Sequence, residues 1–157
     1  MATEVLGVLP VVVDDDPEVL WAFSEGLRRN GYPHTFAVAS AADCIRLLRQ
    51  MGSEARGHSV VVLDVNLGPA DEFSDGCHAG RVIVRTWPEV RTLYITGFDD
   101  QRLERCPGYP TVLMKPFTGE RLAEMVRYMA HAPAWQPPAE HLIQSRRKSD
   151  EQRRPPP

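Results

Sequence analysis

The chain has 157 residues, 43% of them hydrophobic and 25% charged, which suffices for one domain with a buried core and is ordinary for a globular protein. Its net charge of −3 is unevenly spread: residues 1–132 hold 18 of the 21 acidic and 13 of the 18 basic side chains, so the body lacks the basic stripe of a nucleic-acid surface and only the tail is mildly basic. No window holds the ~18 continuous apolar residues of a membrane span and "MATEVLGVLP" lacks the basic flank and cleavage site of a leader, so the expectation is a cytoplasmic protein outside the membrane.

The first element is a short strand at about 10–14, with Pro10 tolerable as its first residue. A helix follows, capped by Asp16, with Pro17 at its first position and Val19, Leu20, Phe23 and Leu27 on one face until "NGY". "HTFAVA" at 34–39 predicts the second strand. Ser40, with Asp43 three residues on, marks the start of a helix whose apolar face is Ala41, Cys44, Ile45 and Leu48. "SVVVLD" at 59–64 is a continuous apolar run ending in a carboxylate, the pattern of a strand covered on both faces. After the long polar loop "NLGPADEFSDG" come a helix near 76–86, a strand in "RTLYITG" at 91–97, a short helical stretch near 99–105 and a fifth strand at about 110–114. The last helix starts around Thr118 and carries Leu122, Met125, Val126 and Met129 at spacings of three and four. This alternation predicts an α/β fold, a doubly wound five-stranded parallel sheet with right-handed crossovers, whose ligands bind at the carboxyl ends of the strands.

The three cysteines, Cys44, Cys77 and Cys106, form no CxxC pair, which favours reduced thiols and no zinc site. The five histidines show no zinc spacing and read as surface residues.

Asp14 and Asp15 end the first strand, Asp64 the third, Thr96 the fourth and Lys115 the fifth, so the sheet delivers them to one rim. Three carboxylates there raise one another's pKa, and a bound cation resolves the repulsion. Oxygen-only ligands select a hard ion, Mg²⁺ above all. With the charge of Asp14 and Asp15 so neutralised, Asp64 can attack phosphorus, while Lys115 pairs with a phosphate oxygen and the Thr96 hydroxyl hydrogen-bonds another. Lys115 is the only lysine among residues 1–132, where the other twelve cations are arginine. Asp16 is assigned to capping, with a direct metal role as the alternative.

In this order and spacing "VVVDDDP", "VVLDVNL", "YITG" and "LMKPF" resemble the receiver domain of two-component response regulators, over about residues 8–131. The resemblance implies the flavodoxin-like strand order 2-1-3-4-5 and Mg²⁺ held by Asp14, Asp15, Asp64 and the backbone carbonyl of Asn66. It makes Asp64 the acceptor of a phosphoryl group from a sensor histidine kinase or a phosphotransfer protein, with Thr96 moving toward that group and Lys115 binding it. Asn66 and Phe98 would tune its lifetime, and Gly97 would leave the acceptor accessible or serve as a turn glycine. The protein would modify itself and lose its own phosphoryl group, without turnover of a separate substrate.

Three features depart from that pattern. Val112 stands where relatives commonly carry an aromatic residue, the loop from Asn66 to Gly76 is long, and the stretch between Thr96 and Lys115 is short. The expected organisation is a receiver domain at 1–132 and a Pro-rich tail at 133–157, which holds 6 of the 14 prolines. The tail reads as a solvated segment or as an arm carrying Trp135 and "HLIQ" to a second copy, giving a homodimer, or to another protein. With no output domain, signalling would run through contact with a downstream protein. Two other readings are a receiver-like module that is never phosphorylated and an aspartate-based phosphohydrolase; Asp64-Val65-Asn66 lacks the second carboxylate of the latter's DxD motif.

Overall fold

The computed structural model describes residues 7–68, 72–73, 75–97 and 112–132. They form β1 (Leu9–Val13), α1 (Pro17–Arg29), β2 (Phe36–Val38), α2 (Ala41–Gln50), α3 (Ser53–Gly57), β3 (Ser59–Asp64), α4 (Gly76–Thr86), β4 (Arg91–Thr96), β5 (Val112–Met114) and α5 (Gly119–His131). The strands make one parallel sheet in the order β2-β1-β3-β4-β5, which is the α/β fold and strand order expected from the sequence.

Strand alternation divides the core into two layers. Val11, Val13, Val61, Leu63 and Tyr94 face α2 and α4, where they meet Ala41, Cys44, Leu48, Cys77 and Ile83. Val12, Val60, Val62, Leu93, Ile95 and Leu113 face α1 and α5, where Leu27, Leu122, Val126 and Met129 close over them. The continuous apolar run of β3 is thus explained: all six of its residues are buried because both faces are covered.

The caps follow their local chemistry. Asp16 accepts the backbone N–H groups of Glu18 at 2.9 Å and Val19 at 3.4 Å, Ser40 accepts that of Asp43 at 3.1 Å, and Thr118 accepts that of Arg121 at 3.1 Å. Asp75 caps α4 in the same way, through the N–H of His78 at 2.8 Å.

Several expectations need correction. Pro10 is the second residue of β1, in an interior strand. Leu9 donates toward β3, to His58 O, and Asp14 donates toward β2, to Val38 O, so the nitrogen of Pro10 faces the β2 side. Pairing with β2 begins only at Val11, and the missing N–H therefore breaks no ladder bond. The five-residue helix α3 has no apolar period and was not expected. Cys44 is a free, buried thiol, pushed up to about 12 by burial, but Cys77 is disulfide-bonded, against the expectation of reduced thiols. The predicted helix near 99–105 lies outside the described residues, as does the tail. No described helix is long and apolar enough to cross a membrane.

Candidate functional site at the carboxyl rim

Parallel strands end together, so the residues just after them share one rim. Asp14 follows β1 and is 5% exposed; Asp64 and Thr96, the last residues of β3 and β4, are 9% and 3% exposed. Register ties the strands there: Val65 donates to Ile95 O at 2.9 Å, and Lys115, just past β5, donates its backbone N–H to Thr96 O at 2.8 Å.

The side chains then converge. Lys115 Nζ lies 2.7 Å from Asp64 Oδ2, a contact across 51 positions of sequence, while Asp64 Oδ1 accepts the N–H of Asn66 at 2.8 Å. Both oxygens of Asp64 are thereby oriented by charge-assisted hydrogen bonds. Asp14 Oδ1 accepts the N–H of Asp16 at 2.9 Å, which fixes its carboxylate at the mouth of α1. Burial raises the pKa of Asp14; the N–H of Asp16 and the charge of Lys115 oppose this, and the like charges of Asp64 and Asp15 add to it.

Asp15 is exposed and lies against the backbone of Gly68: a Cβ at Gly68 would fall 2.1 Å from Asp15 Oδ2. Asp16, by contrast, spends its carboxylate on the helix cap, as the capping assignment expected. Asn66 is exposed, with its N–H on Asp64. Gly97 is also exposed, and among the described residues a Cβ there would meet nothing within 4 Å. Val112 is half-buried and packs on the α2/α4 core layer. Phe98 lies outside the described residues.

Two further glycines, Gly68 and Gly76, are not assigned to this site by the sequence, where Asp75-Gly76-Cys77-His78 reads as a partner contact or a turn into a helix. Gly76, the first residue of α4, would bring a Cβ to 2.2 Å from the backbone oxygen of Asp64, while its own N–H donates to Val65 O at 2.9 Å. Only a glycine lets α4 start so close to Asp64. Gly68 likewise leaves room for Asp15. The "DG" at 75–76 was a visible signal, but it reads as any turn into a helix.

The donor set fits a hard divalent cation. It is made of oxygens, it places the partly desolvated Asp14 beside the like charges of Asp64 and Asp15, and a cation would relieve that repulsion. As they stand, no three His, Cys, Asp or Glu side chains among the described residues are close enough to enclose an ion. Magnesium tolerates that, because it keeps several waters and takes only one or two carboxylates.

Comparison with known proteins bears on the family and the fold. The family model of the response regulator receiver domain matches residues 11–127. Among solved structures, a response regulator receiver protein from Sinorhizobium medicae is 27% identical, with a TM-score of 0.66 over 82% of this chain and 98% of that one. The BeF3-activated receiver domain of DrrB, from Thermotoga maritima, is 26% identical, with a TM-score of 0.61 over 81% of this chain and all of that one. A CheY-like receiver domain protein from Methanospirillum hungatei, 18% identical with a TM-score of 0.64 over 79% of this chain and 94% of that one, shares the fold. No curated protein matches the chain.

Proposed function

The chain belongs to the response regulator receiver domain family of two-component systems, and from that premise we propose that it takes a phosphoryl group onto Asp64 from a sensor histidine kinase or a phosphotransfer protein. The observation that carries this reading is the 2.7 Å contact of Lys115 Nζ with Asp64 Oδ2 on a rim that also buries Asp14 and Thr96. An Asp64 oxygen forms a bond to phosphorus as the phosphorus–nitrogen bond of the donor breaks, and the leaving imidazole keeps the electron pair. Lys115, already in place, transfers its ion pair from the carboxylate to a phosphoryl oxygen, and the Thr96 hydroxyl is the hydrogen-bonding group on the neighbouring strand end. Asp14, Asp15, Asp64 and the backbone carbonyl of Asn66 would hold Mg²⁺, which supplies charge neutralisation at the phosphoryl oxygens.

Phosphorylation replaces the Lys115–Asp64 pair with a bulkier, more negative group and so biases two conformations of the rim. The readout is contact with a downstream protein, without nucleic acid or membrane, and the protein modifies itself without turning over a separate substrate. The single receiver domain spans 1–132, the tail 133–157 serves as an arm for a homodimer or a partner, and the cytoplasm is the compartment.

Intact-mass measurement after incubation with acetyl phosphate and Mg²⁺ tests the assignment. One phosphoryl adduct is expected on the wild type, none on Asp64→Asn and none when the metal is chelated. An unmodified wild type with every donor, kinases included, would favour a passive interaction module, for which Val112 speaks.

A further inference from the structure

Two glycines one turn apart bring the backbone of helix α4 against the sheet, and only the first of them reaches Asp64. Gly76 and Gly80 are four residues apart, so they share a face of α4, about 6 Å from each other along the axis. A Cβ at Gly80 would fall 2.0 Å from the hydroxyl oxygen of Tyr94 and 2.9 Å from its Cζ. The α4 backbone thus has a notch at Gly80, and the tip of the Tyr94 side chain fills it.

From these contacts we infer that Tyr94 is a positioning residue: its hydroxyl, seated at Gly80, sets where the first turn of α4 stands against Asp64, and so tunes the phosphoryl chemistry proposed there. That chemical consequence rests on the proposed function; the packing itself does not. Tyr94 is fully buried on β4, in register with Leu63 on one side and Val112 on the other, and Thr96 follows two residues later on the same side of the sheet. Gly76 N–H donates to Val65 O at 2.9 Å, and Val65 N–H donates to Ile95 O at 2.9 Å. The start of α4 is therefore tied, through Val65, to the strand that carries Tyr94 and Thr96.

The oxygen of Tyr94 is better explained by its length than by its polarity. Among the described residues its hydrogen bond is a long one, accepted from Thr92 Oγ1 at 3.4 Å, beyond the usual range between two hydroxyls. Burying a hydroxyl with so poor a partner is costly, and a phenylalanine would place the same ring between β4 and α4 without that cost. What the oxygen adds is one more atom of reach, spent on the helix backbone in an interior that is close-packed. A displacement of α4 at Gly80 would therefore carry to Gly76, one turn away, where a Cβ would already come to 2.2 Å from the Asp64 carbonyl oxygen.

A double-mutant cycle on the full chain tests this, without reductant, so that the disulfide at Cys77 in the same turn is common to every variant. One readout is the ratio of amide hydrogen exchange at Gly76 to that at Val126 of α5, which cancels any global loss of stability; the other is the rate of phosphorylation by acetyl phosphate with Mg²⁺. In Gly80→Ala the new methyl meets the Tyr94 oxygen, and the exchange ratio should rise about tenfold while phosphorylation slows about tenfold. In the Tyr94→Phe background the nearest approach relaxes from 2.0 to 2.9 Å, so adding Gly80→Ala should change either readout by less than about threefold. Equal effects of Gly80→Ala in the two backgrounds overturn the inference, as does an exchange ratio that stays constant while both rates rise. If Gly80→Ala fails to fold, recovery of folding in the double variant supports the inference and its absence overturns it. A wild type that takes no phosphoryl group removes the proposed function, and the exchange ratio still decides the role of Tyr94.

Discussion

The two ends of the sheet handle buried charge in opposite ways. At the amino-terminal end, Arg56 pairs with Glu89 at 2.9 Å, donates to the carbonyls of Leu48 and Met51 and stacks over Trp87, with its Cζ 5.6 Å from the ring centroid. Arg91 donates to the carbonyls of Ala132, Gly57 and Glu89. These two cations are distributed over carbonyl dipoles and one carboxylate, and they tie α2, α3, β4 and α5 together. At the carboxyl end the balance reverses: Lys115 pairs with Asp64, and Asp14 feels the like charges of both Asp64 and Asp15. One end is electrostatically satisfied and structural, whereas the other keeps an excess of negative charge, which the proposed function assigns to a cation and a phosphoryl group. A folded domain tolerates the second because the first, with the apolar layers between, holds the frame.

Substitutions at the two ends should therefore separate rate from stability. Lys115→Ala is expected to slow phosphorylation by acetyl phosphate roughly 100-fold, the usual loss for one charge-stabilising donor, with little change in melting temperature. Lys115→Arg should not restore the rate, because a planar guanidinium does not replace a compact ammonium. Equal phosphorylation rates in the wild type and Lys115→Ala would break the contrast. Gly76→Ala tests where the frame meets the site: its Cβ would strike the Asp64 carbonyl, so a loss of about 3 kcal/mol in urea unfolding is expected together with slower phosphorylation. At the opposite pole, Arg56→Ala should cost about 2 kcal/mol through lost charge-assisted hydrogen bonds, and the phosphorylation rate of the folded fraction should stay within a factor of two. A rate loss without a stability loss would reverse the assignment of the two ends.

The apolar layer between them gives the smallest effect. Burial pushes both the Cys44 thiol and the Tyr94 hydroxyl up to about 12, from ordinary values of 9.0 and 10.0. The folded chain retains protons there that the unfolded chain releases. Their contribution to stability is thus complete below about pH 9 and declines as the pH rises toward 12. Denaturant unfolding at pH 8 and pH 10.5 should show this fall, and Cys44→Ala should make it shallower. An unchanged pH slope in that variant would place the alkaline loss elsewhere. In the native state at pH 8, Cys44 should also resist alkylation.

Much of the molecule was legible in the chain. Apolar period, capping residues and carboxylates at strand ends are local signals, and they located β3, α2, α4 and α5 within a residue or so and put Asp14, Asp64, Thr96 and Lys115 on one rim. They did so because a parallel sheet sends every strand end to the same side. Elsewhere local signals were silent. Nothing in "SEARG" announces α3, whose carbonyls and Arg56 are engaged by residues up to 34 positions away.

What the sequence alone determined was the list of reactive groups and the edge of the sheet that receives them, since strand direction and side-chain alternation are properties of the local chain. Only the tertiary structure decided that Lys115 meets Oδ2 of Asp64, that burial and two like charges raise the pKa of Asp14, and that Gly76 must lack a side chain. Those facts depend on distances between segments up to 51 residues apart, and on backbone approaching backbone. A carboxylate is visible as a letter, but the space around it exists only once the strands are side by side.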